Sequence, residues 1–242
     1  DIGGPAMTRA AAKNYPSVIV LVDPLDYPTV ASMISDGMIP MVERRRLASK
    51  AFKHVAIYDT KISNYLNEAP TTEVETLKFP DELKLKWDKV SVPRYGENPH
   101  QKASIYVNPE EIGGIANAQQ LHGVELSYLN YLDADAAWSA SNRFPNHCVT
   151  IVKHANPCGL SVQDKQSNAY LMAFEGDPVS AFGGIVGFNS VVQVETANLM
   201  RNVFFDVIIA PDYEPDALRI LKERKRTRIL TASSCSIRRF DL

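Results

Sequence analysis

From Arg94 onward, apolar runs of strand length alternate with segments of helical periodicity, and this alternation constrains the fold more than any other feature. The sequence predicts strands at Ala103–Val107, Cys148–Lys153, Gly184–Phe188 and Phe205–Ala210. Between and after them it predicts helices at Ser127–Arg143, Asn168–Phe174, Gln193–Asn202 and Ala217–Lys225. Strands separated by helices favour layered α/β architecture with a largely parallel sheet. The first third reads similarly. Met7 to Asn14 is rich in good helix formers. Ser17–Val22 is a continuous β-branched and apolar run suited to a strand buried on both faces. After Pro40, the residues Leu47, Ala51, Val55, Tyr58, Ile62 and Tyr65 recur at helical spacing. Residues 67–93 interrupt the pattern with a polar Pro/Thr/Glu stretch, the expected domain boundary, and Leu83–Trp87 alternates as a half-exposed strand would.

Composition narrows the function classes. With 242 residues and 45% hydrophobic content, the chain can build one large core or two smaller ones. A formal net charge of -2 argues against nucleic-acid binding. The basic run Lys222–Arg228 reads as a solvated helix end. No stretch approaches the length needed to span a bilayer, and the first residues do not form a signal peptide. Three widely spaced cysteines, Cys148, Cys158 and Cys235, suggest no disulfide framework and fit a reducing, cytoplasmic setting.

Three segments carry residues suited to chemistry. Lys153-His154-Ala155-Asn156-Pro157-Cys158-Gly159 lies where a strand ends and the chain turns, and in open α/β sheets ligands bind beyond the carboxyl ends of strands. A histidine there can serve as a general base near neutral pH. The neighbouring ammonium can stabilise negative charge on an attacked carbonyl. Because successive strand side chains point to opposite faces, Lys153 and His154 can serve one ligand only if the strand ends between them. Asn156-Pro157 encourages that ending. The second segment, Arg94-Tyr95-Gly96-Glu97-Asn98-Pro99-His100-Gln101, is a polar turn whose arginine could hold a phosphate, with Tyr95 and His100 available to a heterocycle. The third, Asp177 to Val186, has paired glycines before a strand, which permit close backbone approach to a ligand. A zinc-deaminase reading of His154…Pro157-Cys158 fails on the residues: Asn156 stands where Glu is needed and Ser161 where a second Cys is needed.

In order along the chain, these segments resemble the bifunctional purine biosynthesis family, in which 5-aminoimidazole-4-carboxamide ribonucleotide (AICAR) transformylase is joined to IMP cyclohydrolase. The resemblance rests on Asp1-Ile2-Gly3-Gly4 with Arg9–Asn14, Arg44–Ala48 with Lys50-Ala51-Phe52, Arg94–Lys102, Lys153–Gly159 and Gly176–Val186. Asp206–Pro211 adds a weaker match. It implies an α/β chain in which residues 1–66 are the C-terminal part of a methylglyoxal-synthase-like cyclohydrolase domain. Residues 67–93 would be a linker and entry strand. Residues 94–242 would be the first lobe of a cytidine-deaminase-like transformylase domain, with 231–242 an unplaced tail.

The implied reactions are formyl transfer from the co-substrate 10-formyltetrahydrofolate to AICAR, giving FAICAR, and closure of FAICAR to IMP, with no catalytic metal. His154 would take the amine proton and Lys153 would stabilise the transition state. Arg94, Tyr95, Gly183 and Asp206 would contact the ribonucleotide, with Asp135 nearby, and Asn156 and Pro157 would shape the loop. In ring closure, Lys13 would transfer a proton while Asp1 and Ile2 face the nucleotide. The full-length enzyme would be a cytoplasmic homodimer. The cyclohydrolase's earlier phosphate-binding loops and the second transformylase lobe are expected to lie outside this sequence. The chain alone is therefore expected to be inactive or weakly active; a catalytically dead nucleotide-binding or assembly module of the same fold is the alternative.

Overall fold

A computed structural model describes residues 2–67 and 85–234. The chain divides into two compact units, Asp1–Asp81 and Glu82–Leu242.

Among the described residues, the first unit is built on three α-helices, α1 (Gly3–Lys13), α2 (Tyr27–Ser35) and α3 (Met41–Asn67). α1 and α3 meet through small residues, Ala12 against Ala48 and Ala51, which let two backbones approach closely. In the 17–22 run, Ser17 still belongs to the turn after α1, and no described strand pairs with the rest. Its side chains still alternate as a strand's would. Val20 and Val22 pack on the Ala12–Ala48–Ala51 cluster, while Ile19 and Leu21 pack on Val30, Ile39 and Leu47. Residues 19–22 are thus half-buried on two sides without a ladder, while Ser17 and Val18 are exposed, so the expected buried strand does not form. The family-like Arg44–Ala48 and Lys50 stretch has a structural use here. Lys50 Nζ donates to Asp23 Oδ2 and Asp26 Oδ2, both at 2.6 Å, and Arg46 donates to Asp26 Oδ1 at 2.9 Å. Asp23 also accepts from the Leu25 amide, capping the short turn before α2. Hydrogen bonds from Lys50, above all, hold both aspartates below the ordinary carboxylate range.

The second unit holds a two-stranded antiparallel ribbon, β1 (Asp88–Ser91) and β2 (Ile105–Val107), and a six-stranded sheet. In sequence order the sheet strands are β3 (Gln119–His122), β4 (His147–Lys153), β5 (Asn156–Gln163), β6 (Ile185–Phe188), β7 (Val207–Ala210) and β8 (Arg228–Thr231). Across the sheet the order is β3-β8-β7-β6-β4-β5. Its helices are α4 (Tyr128–Ser141), α5 (Gln166–Gly176), the single turn α6 (Pro178–Ala181), α7 (Val194–Met200) and α8 (Pro215–Leu221). Ser127 and Asn130 form a reciprocal capping box at the start of α4.

Strand alternation sorts the core into two layers. Val207 and Ile209 face α4 with Val152, Ile185 and Leu230, against Ala134, Ala137 and Trp138. Ile208 and Ala210 face the opposite side with Val149, Ile151 and Phe188, against residues of α5, α7 and α8. The result is a three-layer α/β/α arrangement.

The sheet is mixed, which corrects the expectation of a largely parallel one. Only β6–β7 and β7–β8 are parallel, each joined by a crossover helix. β4 runs antiparallel to both β5 and β6, and β3 antiparallel to β8. The cause at β5 is local. Lys153 pairs with Asn156, so only two residues connect β4 to β5, and so short a link permits only an antiparallel return. The segment expected to be a turning loop is instead a hairpin. Pro157 is tolerated because β5 lies at the sheet edge. The register slips between Ile151 and Val152, leaving Cys158 as an extra residue whose thiol donates to the Ile151 carbonyl at 3.5 Å. Of the half-exposed strand expected at Leu83–Trp87, residues 83 and 84 lie outside the described residues; 85–87 form no strand, and pairing begins at Asp88.

Two outcomes follow from this packing. A side-chain carbon built on Gly159 would stand 1.8 Å from the Ala173 carbonyl of α5. Gly159→Ala must therefore push α5 off the sheet, and urea denaturation should register a loss of about 1–3 kcal/mol. In the first unit, Asp26→Asn should lower the thermal midpoint near neutral pH. Because the folded carboxylates titrate below their unfolded values, wild type holds this stabilisation above about pH 4 and loses it as pH falls further. The gap between wild type and variant should close on acidification, and thermal melts across pH 2.5–7 would reveal it.

Candidate functional site

The β4–β5 hairpin displays the best-marked residues. Both of its turn residues have positive φ, 53° for His154 and 60° for Ala155. A two-residue hairpin turn matching the twist of its strands requires this, and usually uses Asn-Gly. Here neither residue is glycine, and left-handed backbone costs about 1–2 kcal/mol at each such position. Two side chains brace the turn. Asp133 of α4 accepts from the Ala155 amide at 2.7 Å, and Asn156 donates from its side-chain amide to the His154 carbonyl at 2.8 Å. Lys153 is thus the last strand residue and His154 the first beyond it, so the strand ends between them as a shared ligand requires. His154 is exposed at the tip, whereas Lys153 is half-buried.

Register carries the site across the sheet. Val152, Ile185, Val207 and Arg228 stand side by side on β4, β6, β7 and β8. One step outward from that row, the chain presents Lys153, Gly184 and Asp206. Lys153 Nζ donates to the Phe182 carbonyl at 2.9 Å. Gly183, at φ 69°, follows immediately, and a side-chain carbon there would stand 3.3 Å from the ammonium nitrogen. Gly183 donates to the Phe204 carbonyl at 2.7 Å, and the Asp206 amide donates to the Gly184 carbonyl at 2.9 Å. Asp177, the first residue of this third segment, caps α6 by accepting from the Ser180 amide and hydroxyl.

Arg228 extends the row towards the second motif. Its backbone amide donates to the Asp206 carbonyl, its Nε donates to the Glu125 carbonyl at 3.0 Å, and one terminal nitrogen lies 3.8 Å from Asp206 Oδ1. Burial depresses the basicity of this guanidinium; Asp206 offsets that, while the positive charges of Arg226 and Arg94 add to it. Arg94 thus lies within electrostatic range of Arg228. Its guanidinium lies 4.9 Å from the centre of the Tyr95 ring and donates to the Tyr95 hydroxyl at 3.3 Å. Gly96 is held by the Gln101 carbonyl, and the Asn98 amide by the Gln101 side chain, which fixes the 94–101 turn.

Lys153, Gly183 and Asp206 thus gather at one end of the sheet, with His154 and Asn156 on the adjoining hairpin, Arg228 beside Asp206, and Arg94 and Tyr95 within electrostatic range of Arg228. That end is the carboxyl end of β4 and β3 but the amino end of β5, β6, β7 and β8, so the carboxyl-end expectation holds for β4 but not for the sheet as a whole. Asp135 lies half-buried on α4, two residues beyond Asp133 and so about 200° further round the helix. It is Asp133 that reaches the turn. Asp133 and Arg228 were not distinguishable in the sequence: Asp133 belongs to an Asp-Ala-Asp helix stretch without a clear face, and Arg228 opens a strand hidden behind the basic run. Two clefts lie elsewhere, one at the opposite end of β4 around His147 and Ser190, the other beneath α7 and α8 around Phe205 and Arg224.

In the first unit, Ile2 is the exposed residue before α1 and Lys13 its exposed last residue. Eleven helical residues separate them by roughly 16 Å, so they do not converge. Asp1 lies outside the described residues. No described helix is long and apolar enough to cross a membrane.

Residues 11–240 match the sequence profile of the family described as AICARFT/IMPCHase bienzyme. The bifunctional purine biosynthesis protein PurH of Thermoanaerobacter sp. (strain X514) is 47% identical over the whole chain, which covers 47% of that protein. The PurH proteins of Mycobacterium marinum and Mycobacterium leprae are 44% and 43% identical over 96% and 97% of the chain, each covered over 45% of its own length. The chain thus spans a little under half the length of these relatives, and with nearly all of its residues inside the family profile it belongs to the AICARFT/IMPCHase bienzyme family.

Proposed function

We propose that the chain takes part in the closing steps of purine synthesis, formylation of AICAR by 10-formyltetrahydrofolate and ring closure of FAICAR to IMP, within a cytoplasmic enzyme that works as a homodimer. The observation supporting this reading is the sheet end that brings Lys153, Gly183 and Asp206 together, with Arg228 beside Asp206 and Arg94 and Tyr95 within its electrostatic range. Arg94 and Tyr95 hold the phosphoribosyl part of AICAR, a role suited to an exposed guanidinium stacked on a ring. Gly183 and Asp206 line the nucleotide, the glycine because a side chain there would crowd the ammonium.

The AICAR amine attacks the formyl carbon, and a new C–N bond forms as the carbonyl becomes an oxyanion. His154 accepts the amine proton. Lys153 has three N–H donors and uses one on the Phe182 carbonyl, leaving others for the oxyanion. Collapse breaks the bond from the formyl carbon to the folate nitrogen, which receives a proton, giving FAICAR and tetrahydrofolate. Asn156 keeps His154 at the tip through the turn carbonyl, and Asp135 stands on the helix behind it. In ring closure, Lys13 moves a proton, while Asp1 and Ile2, at the other end of α1, contact the nucleotide away from that lysine. Residues 1–66 would be the cyclohydrolase part, 67–93 the connection, and 94–242 the first transformylase lobe.

Binding and turnover should be measured separately on the purified chain. Isothermal titration should detect AICAR, with Arg94→Ala weakening it by about tenfold or more. Any formylation, followed through tetrahydrofolate release, should fall about 100-fold or more in His154→Ala with AICAR binding retained. Binding without formylation would support a nucleotide-binding module instead, and absence of AICAR binding would overturn both readings.

A further inference from the structure

We propose that Asp133 is a positioning residue for His154. Its carboxylate, carried by α4, holds the hairpin turn in the left-handed geometry that aims the imidazole. The proposal rests on the reading of His154 as the proton acceptor, and deepens it by naming what sets that side chain's direction.

The case starts from the turn itself. Left-handed backbone is routine for glycine and tolerable for Asn or Asp, whose short polar side chains can bond locally. Ala155 has neither advantage, yet adopts φ 60° beside His154 at 53°. Such strained pairs persist only where the surroundings over-determine them. The Lys153–Asn156 pairing supplies one constraint and the Asn156 bond to the His154 carbonyl a second. The second holds the carbonyl end of the peptide that joins His154 to Ala155, and neither holds its N–H end. That restraint comes from Asp133 Oδ1, 22 residues earlier in the chain, accepting the Ala155 amide at 2.7 Å. The bond is short, as expected for a charged acceptor.

Asp133 is itself buried, 8% exposed, on a helix that packs against β4, β6 and β7 through Ala134, Ala137 and Trp138. The hairpin tip is therefore tied to the rigid layer behind the sheet rather than left to its own two strands. Without the carboxylate, the Ala155 peptide can relax to right-handed backbone. The Lys153–Asn156 pairing would then open, and His154 would swing away from the Lys153 ammonium. Asp133 does not touch the reacting atoms in this scheme; it acts through the turn.

The test is nuclear magnetic resonance on the uniformly labelled 242-residue chain. In wild type, the Ala155 amide should exchange at least about tenfold more slowly than an open turn amide. The carbon shifts of His154 and Ala155 should report left-handed backbone. Asp133→Ala should abolish both signatures, and Asp133→Asn, which keeps an acceptor oxygen, should restore most of them. Adding Ala155→Gly to Asp133→Ala should bring back the left-handed shifts at His154 without the carboxylate, which a general loss of packing would not allow.

AICAR supplies a second arm. Its addition should move the His154 ring resonances in wild type, and by less than half as much in Asp133→Ala at equal saturation. Unchanged turn signatures in Asp133→Ala, or failure of Ala155→Gly to restore them, would overturn the positioning role. If AICAR leaves the wild-type ring unmoved, the proposed function loses its support, while the turn signatures still judge Asp133 by themselves.

Discussion

A two-residue link between β4 and β5 governs much of the second unit. It sends β5 back along β4, and with β4 also antiparallel to β6 the parallel order is confined to β6, β7 and β8. It also ends β4 at Lys153, so the ammonium belongs to the sheet and the imidazole to the tip. A longer connection would relieve the left-handed strain at His154 and Ala155, and it would also free the histidine from its neighbour. The strain and the juxtaposition therefore have one origin, and the bonds from Asp133 and Asn156 are what make that geometry sustainable.

The other constraint is close packing on the sheet faces. Gly159 lets α5 press its Ala173 backbone onto β5, and Gly187 does the same for Ala137 of α4 on β6. With helices this near on both faces, the sheet end has little freedom to shift, which is what a row of polar groups needs if it is to hold a ligand at fixed distances. Arg228 shows how that end tolerates charge. Its guanidinium is largely withdrawn from water, but a backbone carbonyl and a nearby carboxylate share the burden. Arg94 and Arg226 lie within electrostatic range of Arg228, whose nearby carboxylate is Asp206.

Much of the fold's centre was legible from periodicity because three of its strands are buried on both faces. β4, β6 and β7 read as continuous apolar runs, and α4 announces its start through Ser127 and Asn130. β5 was hidden for a physical reason. An edge strand may carry Pro157 and a bulge at Cys158, and these are the signals that otherwise mark a loop. β3 and β8 were hidden too, the first because Gln119-Gln120 is polar, the second because Arg228 follows a charged run. The 17–22 segment failed the opposite way. Its pattern is that of a strand, and its side chains are sorted to two faces, but strand status depends on a neighbour that side-chain spacing cannot supply.

For the candidate site, the sequence could name residue types but not the support beneath them. Lys153, His154, Arg94 and Gly183 stand out because their chemistry or their position beside turn residues is unusual. Asp133 does not, since a carboxylate in a helix is ordinarily solvated, and only the three-dimensional return of the chain over 22 residues gives it a partner. The same holds for Arg228, whose carboxylate partner Asp206 lies on the neighbouring strand. Groups that meet ligands tend to be marked locally, by turns and polar clusters. Groups that hold them in place are marked only by long-range contacts. The asymmetry explains why Asp135 and Asp133 could not be told apart before the structure: they share composition and helix, and differ only in the direction fixed by α4 packing under the sheet.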